Sequence, residues 1–298
     1  MKLSGLHILL TYQCTYECDH CFVWGGPWQK GTLTYEQIEQ ILGQAKEADV
    51  TSIYFEGGEP FLYYAILIKA VRKAAEMGFS VGIVSNAYWS NSVADAEAWL
   101  HPFAGHLEDL TVSSDLFHCN ETLGQRPQNA LAAAKLLNIP TGTINIAQPD
   151  PKGDVKQTHG QIEDEGAVMF RGRAAKMLVE KVTSQPWEGF DSCPHEDLRE
   201  PGRVHLDPLG NIHICQGITI GNVFEAPLKE ICEEYNADAH PICGPLLEGG
   251  PAALVSEYNL PHASSYADAC HLCYEARTTL RERFPQYLNP DQMYGVLK

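Results

Sequence analysis

Along the first half of the chain, short apolar runs alternate with amphipathic stretches of helical period. The apolar runs lie at residues 6–12, 51–55, 79–84, 107–112 and 141–146 and read as strands. Between them, residues 35–48, 62–77, 94–100 and 128–137 read as helices, the first capped by Thr34. One strand and one helix recur about every thirty residues, the pattern of a parallel sheet with crossover helices. Polar clusters follow three of the strands: Glu56-Gly57-Gly58-Glu59-Pro60, Ser85-Asn86 and Ser113-Ser114-Asp115. In a βα barrel that is the face where sites assemble. The pattern then changes. Residues 149–164 are polar and read as a long loop. Residues 168–182, with Arg171-Gly172-Arg173-Ala174, continue into a helix. Beyond Pro186 the chain predicts a β-hairpin over 203–216, turning at Pro208-Leu209-Gly210-Asn211, and helices at 228–235, 251–258 and 269–284. A boundary near Pro186 divides the chain into residues 1–185 and 186–298.

Composition narrows the function classes. A chain of 298 residues buries one large core or two modest ones. No apolar run is long enough for a membrane span, and residues 1–7 are too short and polar for a signal peptide. Ten cysteines without a secretion signal argue for a reducing, cytoplasmic compartment, with thiols kept for metal or catalysis. The formal charge of −17 argues against nucleic acid as a partner, because a phosphate backbone would be repelled. It permits a cationic substrate or a basic protein partner, and its simplest reading is a solvated acidic surface.

The chemistry begins at Cys14, Cys18 and Cys21, spaced C-x3-C-x2-C directly after the first strand. Three thiolates on one short loop hold three corners of an iron–sulfur cube and leave one iron open to bind and reduce a ligand. The competing reading is zinc, which wants four protein ligands in a structural site where this run gives three thiolates. In these residues the chain resembles the radical S-adenosylmethionine (radical SAM) enzymes. Their signature is C-x3-C-x-aromatic-C after the first strand of a partial βα barrel, and His20 stands where that family prefers Tyr or Phe. A second family element, Gly-Gly-Glu-Pro after the second strand, stands intact as Gly57-Gly58-Glu59-Pro60. The resemblance covers roughly residues 6–146. It implies a partial (β/α)6 TIM-like barrel with a C-terminal α+β cluster-binding extension, in which Cys14, Cys18 and Cys21 carry a [4Fe–4S] cluster. It implies that Gly57, Gly58, Glu59 and Pro60 contact the amino group of SAM, and that Ser85, Asn86, Ser113 and Asp115 lie toward its ribose and carboxylate. Phe22 would offer a flat surface near the adenine or pack in the core, and residues 142–144 loosely match an adenine-side motif. In the family, one electron from the cluster splits the sulfonium, and the 5′-deoxyadenosyl radical takes a hydrogen atom from the substrate. A reducing electron-transfer protein supplies the electron.

A second set, Cys193, Cys215, Cys270 and Cys273, comes from a loop, the hairpin and a helix start. Four thiolates fully coordinate one cluster, and equally one structural zinc. The G-x4-C run ending at Cys215, with the later C-x2-C, resembles the SPASM and shorter twitch extensions of radical SAM enzymes, which implies one auxiliary [4Fe–4S] cluster. The long interval from Cys193 to Gly210 leaves Cys243 as the alternative ligand. Cys119 lies at the expected barrel mouth, either to return a hydrogen atom to a substrate radical or as an inert thiol. Asp115 and His118 orient substrate or SAM, or serve structure. Cys232 reads as core. His205, His213 and His271 read as packing groups or hydrogen-bond partners of ligands.

The function expected from all this is hydrogen-atom abstraction from a peptide or protein side chain. The alternatives are a small-molecule oxidoreductase and a non-catalytic zinc scaffold. No fused leader-binding domain is expected ahead of the first barrel strand, which weakens the peptide reading without removing it, because such a domain can be a separate protein.

Overall fold

Alternate residues of β1 (Leu3–Thr11) go to opposite faces of the sheet. Leu6, Ile8 and Leu10 enter a core shared with the helices, while His7 and Leu9 point to the inner face. The computed structural model describes residues 1–118, 124–149 and 166–296. Cys119 and nearly all of the 149–164 segment lie outside the described residues.

The βα repeat forms as predicted: β1, α1 (Tyr35–Glu47), β2 (Ser52–Gly57), α2 (Tyr64–Glu76), β3 (Ser80–Ser85), α3 (Val93–Leu100), β4 (Asp109–Ser113), α4 (Gln125–Leu136) and β5 (Thr141–Ile144). Thr34 caps α1 in a reciprocal box with Gln37, satisfying two otherwise free backbone donors. Helix α4 starts three residues earlier than the sequence pattern suggests, because Pro127 sits in its first turn, where a missing N–H costs nothing.

The helix expected over 168–182 shrinks to α5 (Ala174–Met177) and a 3₁₀ turn, since Gly172 has φ +60° and breaks any helix before it. The rest comprises β6 (Gln185–Pro186), β7 (Gly202–Leu206), β8 (Asn211–Cys215), β9 (Ile218–Asn222), α6 (Leu228–Glu234), α7 (Cys243–Glu257), β10 (Ser265–Tyr266) and α8 (Ala269–Leu280). Helix α7 is broken at Gly249 and Gly250, so the helix expected over 251–258 is its second half.

One sheet runs in the order β5-β4-β3-β2-β1-β7-β8-β9. Strands β1 to β5 are parallel, β7 is parallel to β1, and β8 and β9 are antiparallel. The C-terminal hairpin thus extends the barrel sheet past β1, giving an α/β partial barrel with a C-terminal extension. Beyond β5 the parallel order continues, among the described residues, as a single bridge from Ile146 to Gly166.

One apolar core lies between the sheet and α1 to α4 and reaches Val204, Ile212 and Ile231. A second gathers Ile214 and Ile218 with α7 and α8, and takes in Leu9, Tyr12 and Val23. The extension therefore packs on the loop that carries the first cysteines. No helix among the described residues is long and apolar enough to cross a membrane.

Candidate functional site

The loop after β1 is pinned by backbone. Tyr12 N–H donates to the Gly31 carbonyl and Cys14 N–H to the Gly26 carbonyl, both at 3.0 Å. Within it, Cys21 N–H donates to the Cys18 carbonyl. The Cys14 sulfur accepts from Tyr16 N–H (3.5 Å) and Asn86 Nδ2 (3.4 Å), and the Cys21 sulfur accepts from Gly25 N–H (3.2 Å). These are the contacts that support a ligated thiolate. Burial, then the Glu59 carboxylate, pushes the Cys14 thiol up to about 12. Burial and the other two thiols push Cys18 up as well. Such thiols stay neutral until a bound cation compensates them, as in metal ligands.

Arg173 clamps the loop from the far side. Its guanidinium donates to the carbonyls of Cys18 (2.8 Å) and Gly25 (2.7 Å), and its own N–H donates to the Cys21 carbonyl. A side chain at Gly172 would lie 2.5 Å from Phe22 Cα, which fixes glycine there.

The three cysteines share a cavity of about 250 Å³ with the ends of β2, β3, β4 and β5. Gly57, Gly58, Ser85, Asn86, Ser113, Phe22 and His118 line it, whereas Glu59, Pro60 and Asp115 lie behind the wall. Glu59 is fully buried and accepts from Phe61 N–H, Ser85 Oγ and Asn86 N–H at 2.8–3.0 Å. A chain of contacts thus runs from the end of β2 through the end of β3 to Cys14. The Asn86 amide is engaged with Cys14 and Thr15, and Ser85 Oγ with Glu59. Asp115 accepts from Phe117 N–H, Ile146 N–H and His118 Nδ1 (2.8 Å), which holds the His118 ring at the cavity. His20 packs 4.3 Å from the Phe117 ring, and burial lowers its pKa to about 4, so it stands neutral.

The glycines of Gly57-Gly58 have a job beyond close approach to a ligand. Gly58 N–H donates to the Thr11 carbonyl (2.7 Å) and Glu59 N–H to the Gln13 carbonyl (2.8 Å). A Cβ at Gly58 would lie 2.1 Å from the Gln13 carbonyl oxygen. Gly58→Ala is expected to cost roughly 1–3 kcal/mol in stability and to displace the cysteine loop. Thermal unfolding and iron content of the variant check this.

The second cysteine set converges as well. Cys193, Cys215, Cys270 and Cys273 line one cavity, beside Arg171 and Arg277. Cys243 is wholly buried and does not line it. The break in α7 admits the loop before Cys193, since a Cβ at Gly250 would lie 2.2 Å from Ser192 N. Asp268 caps α8 and so sets Cys270 and Cys273 on its first turns. Arg171 lines both cavities; its guanidinium donates to the Cys215 sulfur (3.2 Å) and pairs with Glu196 (3.4 Å).

Tight clusters of metal-ligating side chains lie elsewhere in the fold. Among the described residues, the groups whose donor atoms all lie within 4.8 Å of one another are His7–Glu56–His205, His20–Asp115–His118 and His195–Asp268–Cys270. Neither cysteine set is among them. One zinc bound to sulfur at about 2.3 Å would bring its thiolates to about 3.8 Å of one another.

Residues 8–114 match the model of the Radical SAM superfamily. These residues form a radical SAM domain. The chain is an enzyme, not a scaffold, and its cofactors are a [4Fe–4S] cluster and SAM. When bound, that pair supplies the one-electron reduction that breaks a C–S bond of SAM.

Among similar proteins, "Putative peptide biosynthesis protein YydG" of Bacillus subtilis (strain 168) is 22% identical over 261 residues, 87% of this chain and 75% of that one. The S-adenosylmethionine-dependent nucleotide dehydratase RSAD2 of Oncorhynchus mykiss is 29% identical over 129 residues, 41% of this chain and 35% of that one. The crystal structure of BtrN, in complex with AdoMet and 2-DOIA, superposes with a TM-score of 0.51 at 14% identity, covering 84% of this chain and 89% of BtrN. That likeness is one of fold, a partial βα barrel with a C-terminal extension.

Sequence reasoning passed over Arg171, Arg173 and Glu56. The available signal was Arg171-Gly172-Arg173, two cations flanking a glycine with left-handed backbone.

Proposed function

We propose that this radical SAM enzyme abstracts a hydrogen atom from a peptide or protein side chain and uses one auxiliary [4Fe–4S] cluster on Cys193, Cys215, Cys270 and Cys273. The observation that carries the peptide reading is the reach of the similarity. Resemblance to YydG spans 87% of the chain and so includes the extension, whereas that to RSAD2 spans 41%.

In this reading residues 1–185 form the SAM-cleaving barrel and residues 186–298 the auxiliary domain, joined by one sheet. Cys14, Cys18 and Cys21 hold the first cluster, with Arg173 fixing their loop. The backbone of Gly57 and Gly58, together with Ser85, Asn86, Ser113 and Phe22, frames SAM, while Glu59 and Pro60 shape that wall from behind. Asp115 orients His118, which stands at the cavity to hold or move a proton on the substrate. Cys119 follows directly in sequence and is our candidate hydrogen-atom donor. An auxiliary cluster beside Arg171 would lie one side chain from the cavity, a short path for an electron leaving a substrate radical. A reducing protein in the cytoplasm would feed the first cluster.

The similarity to RSAD2 favours a second reading, a nucleotide substrate. The two are separated by supplying deuterated substrates to reduced enzyme and SAM. Peptides encoded beside the gene are expected to put deuterium into 5′-deoxyadenosine. Label arriving from nucleoside triphosphates and from no peptide would overturn the peptide reading.

A further inference from the structure

Three polar side chains on neighbouring strands meet at the wall of the first cavity, where Glu56 reaches the lining. His7 lies on β1, Glu56 near the end of β2 and His205 on β7. Because β1 pairs with both other strands, with His7 opposite His205 and Leu9 opposite Glu56, all three project to the inner face of the barrel. Glu56 Oε1 lies 3.1 Å from His205 Nε2 and 3.5 Å from His7 Nδ1. The three donor atoms all fall within 4.8 Å of one another.

They meet at ion-pair distance, but not all of the contacts are aligned as hydrogen bonds. His7 Nδ1 and Glu56 Oε1 are buried and lack an aligned hydrogen bond. Buried polar atoms are normally hydrogen-bonded, so two that face each other without an aligned bond leave room for a further partner. The His7 ring is braced by stacking on Tyr54 at 4.8 Å, which orients it as supporting groups orient metal ligands.

We propose that His7, Glu56 and His205 form a site for a first-row divalent cation such as zinc or ferrous iron at the wall of the SAM cavity. Two imidazoles and a carboxylate are a recognised three-ligand set for such ions, with further positions left open. Glu56 lines the cavity, so the open positions would face the space where substrate enters. There the ion would hold a hydroxyl, carboxylate or carbonyl oxygen of the substrate. This cation is additional to the iron–sulfur clusters, and its ligands share no residue with theirs.

The test uses cluster-loaded, anaerobic holoenzyme given one equivalent of Zn²⁺ and desalted. Wild type is expected to retain zinc, with a K-edge absorption spectrum showing nitrogen and oxygen neighbours at about 2.0–2.2 Å and no sulfur shell at about 2.3 Å. Glu56→Gln, which keeps the side-chain shape, and His205→Gln are each expected to retain zinc at least about tenfold more weakly, with iron content and far-UV circular dichroism unchanged. A sulfur shell in wild type, no retained zinc, or equal retention in the two variants would overturn the proposal. The readout is independent of 5′-deoxyadenosine formation, so its failure leaves the radical SAM assignment and the peptide proposal untouched.

Discussion

Cys14→Ala is expected to lower the rate of 5′-deoxyadenosine formation by at least about a thousandfold, while Cys232→Ala leaves that rate near wild type. Three thiolates are the fewest that hold the cube and leave one iron for SAM. A thousandfold corresponds to about 4 kcal/mol of barrier, a modest demand for removing a ligand. Cys14 is the member of the set tied most closely to the barrel. Its sulfur accepts from Asn86, whose backbone N–H donates to Glu59, so the ends of β2 and β3 both set its position. Cys232 is equally buried but lies in the outer core, far from any cavity described above. The measurement is chromatographic 5′-deoxyadenosine after reduction with SAM present, alongside iron content. Iron should fall from about eight to about four per chain. Continued 5′-deoxyadenosine formation by a variant lacking Cys14, Cys18 and Cys21 together would remove the site assignment.

For Cys215→Ala the expected result is a split. Iron again falls from about eight to about four, 5′-deoxyadenosine still forms on reduction, and modified product is lost. Cys215 ends β8 on a sheet strand separated from β1 only by β7, and it is the thiol that Arg171 contacts. Its loss should empty the auxiliary site without moving the cysteine loop, which Arg173 holds through backbone carbonyls. Cys193→Ala should behave like Cys215→Ala, and Cys243→Ala should keep all its iron, because Cys193 lines the auxiliary cavity and Cys243 does not. Zinc in place of iron at this site, or loss of both activities in Cys215→Ala, would favour a structural role over the electron transfer proposed above.

The alternation of apolar runs and amphipathic helices gave the order of the barrel elements directly, because each element buries one face and its period shows in the residues. The spacing of Cys14, Cys18 and Cys21 was equally local: three ligands on one loop are neighbours whatever the rest of the chain does. The second set was harder. Cys193, Cys215 and the Cys270–Cys273 pair are distant in sequence, and only packing on α7, broken at Gly249 and Gly250, brings the loop of Cys193 to the others.

Where sequence reasoning assigned Glu59 to SAM, the fold buries the carboxylate among three protein donors. A motif records which residue is needed and not which way its side chain turns. The helix expected through Arg171-Gly172-Arg173 shows the same limit, since the left-handed glycine that ends it also aims one arginine at each cysteine site.

The sequence by itself determined the parallel barrel, the three-cysteine loop and the glycines that let β2 end against it, because these depend on periodicity and on contacts within a few residues of a strand end. Only the tertiary structure decided that β7 pairs with β1, and with it that His205 meets His7 and Glu56 and that Arg171 stands between the two cavities. Those outcomes depend on strand pairing between segments nearly two hundred residues apart, a choice made by burial of whole faces and invisible in any local run of residues.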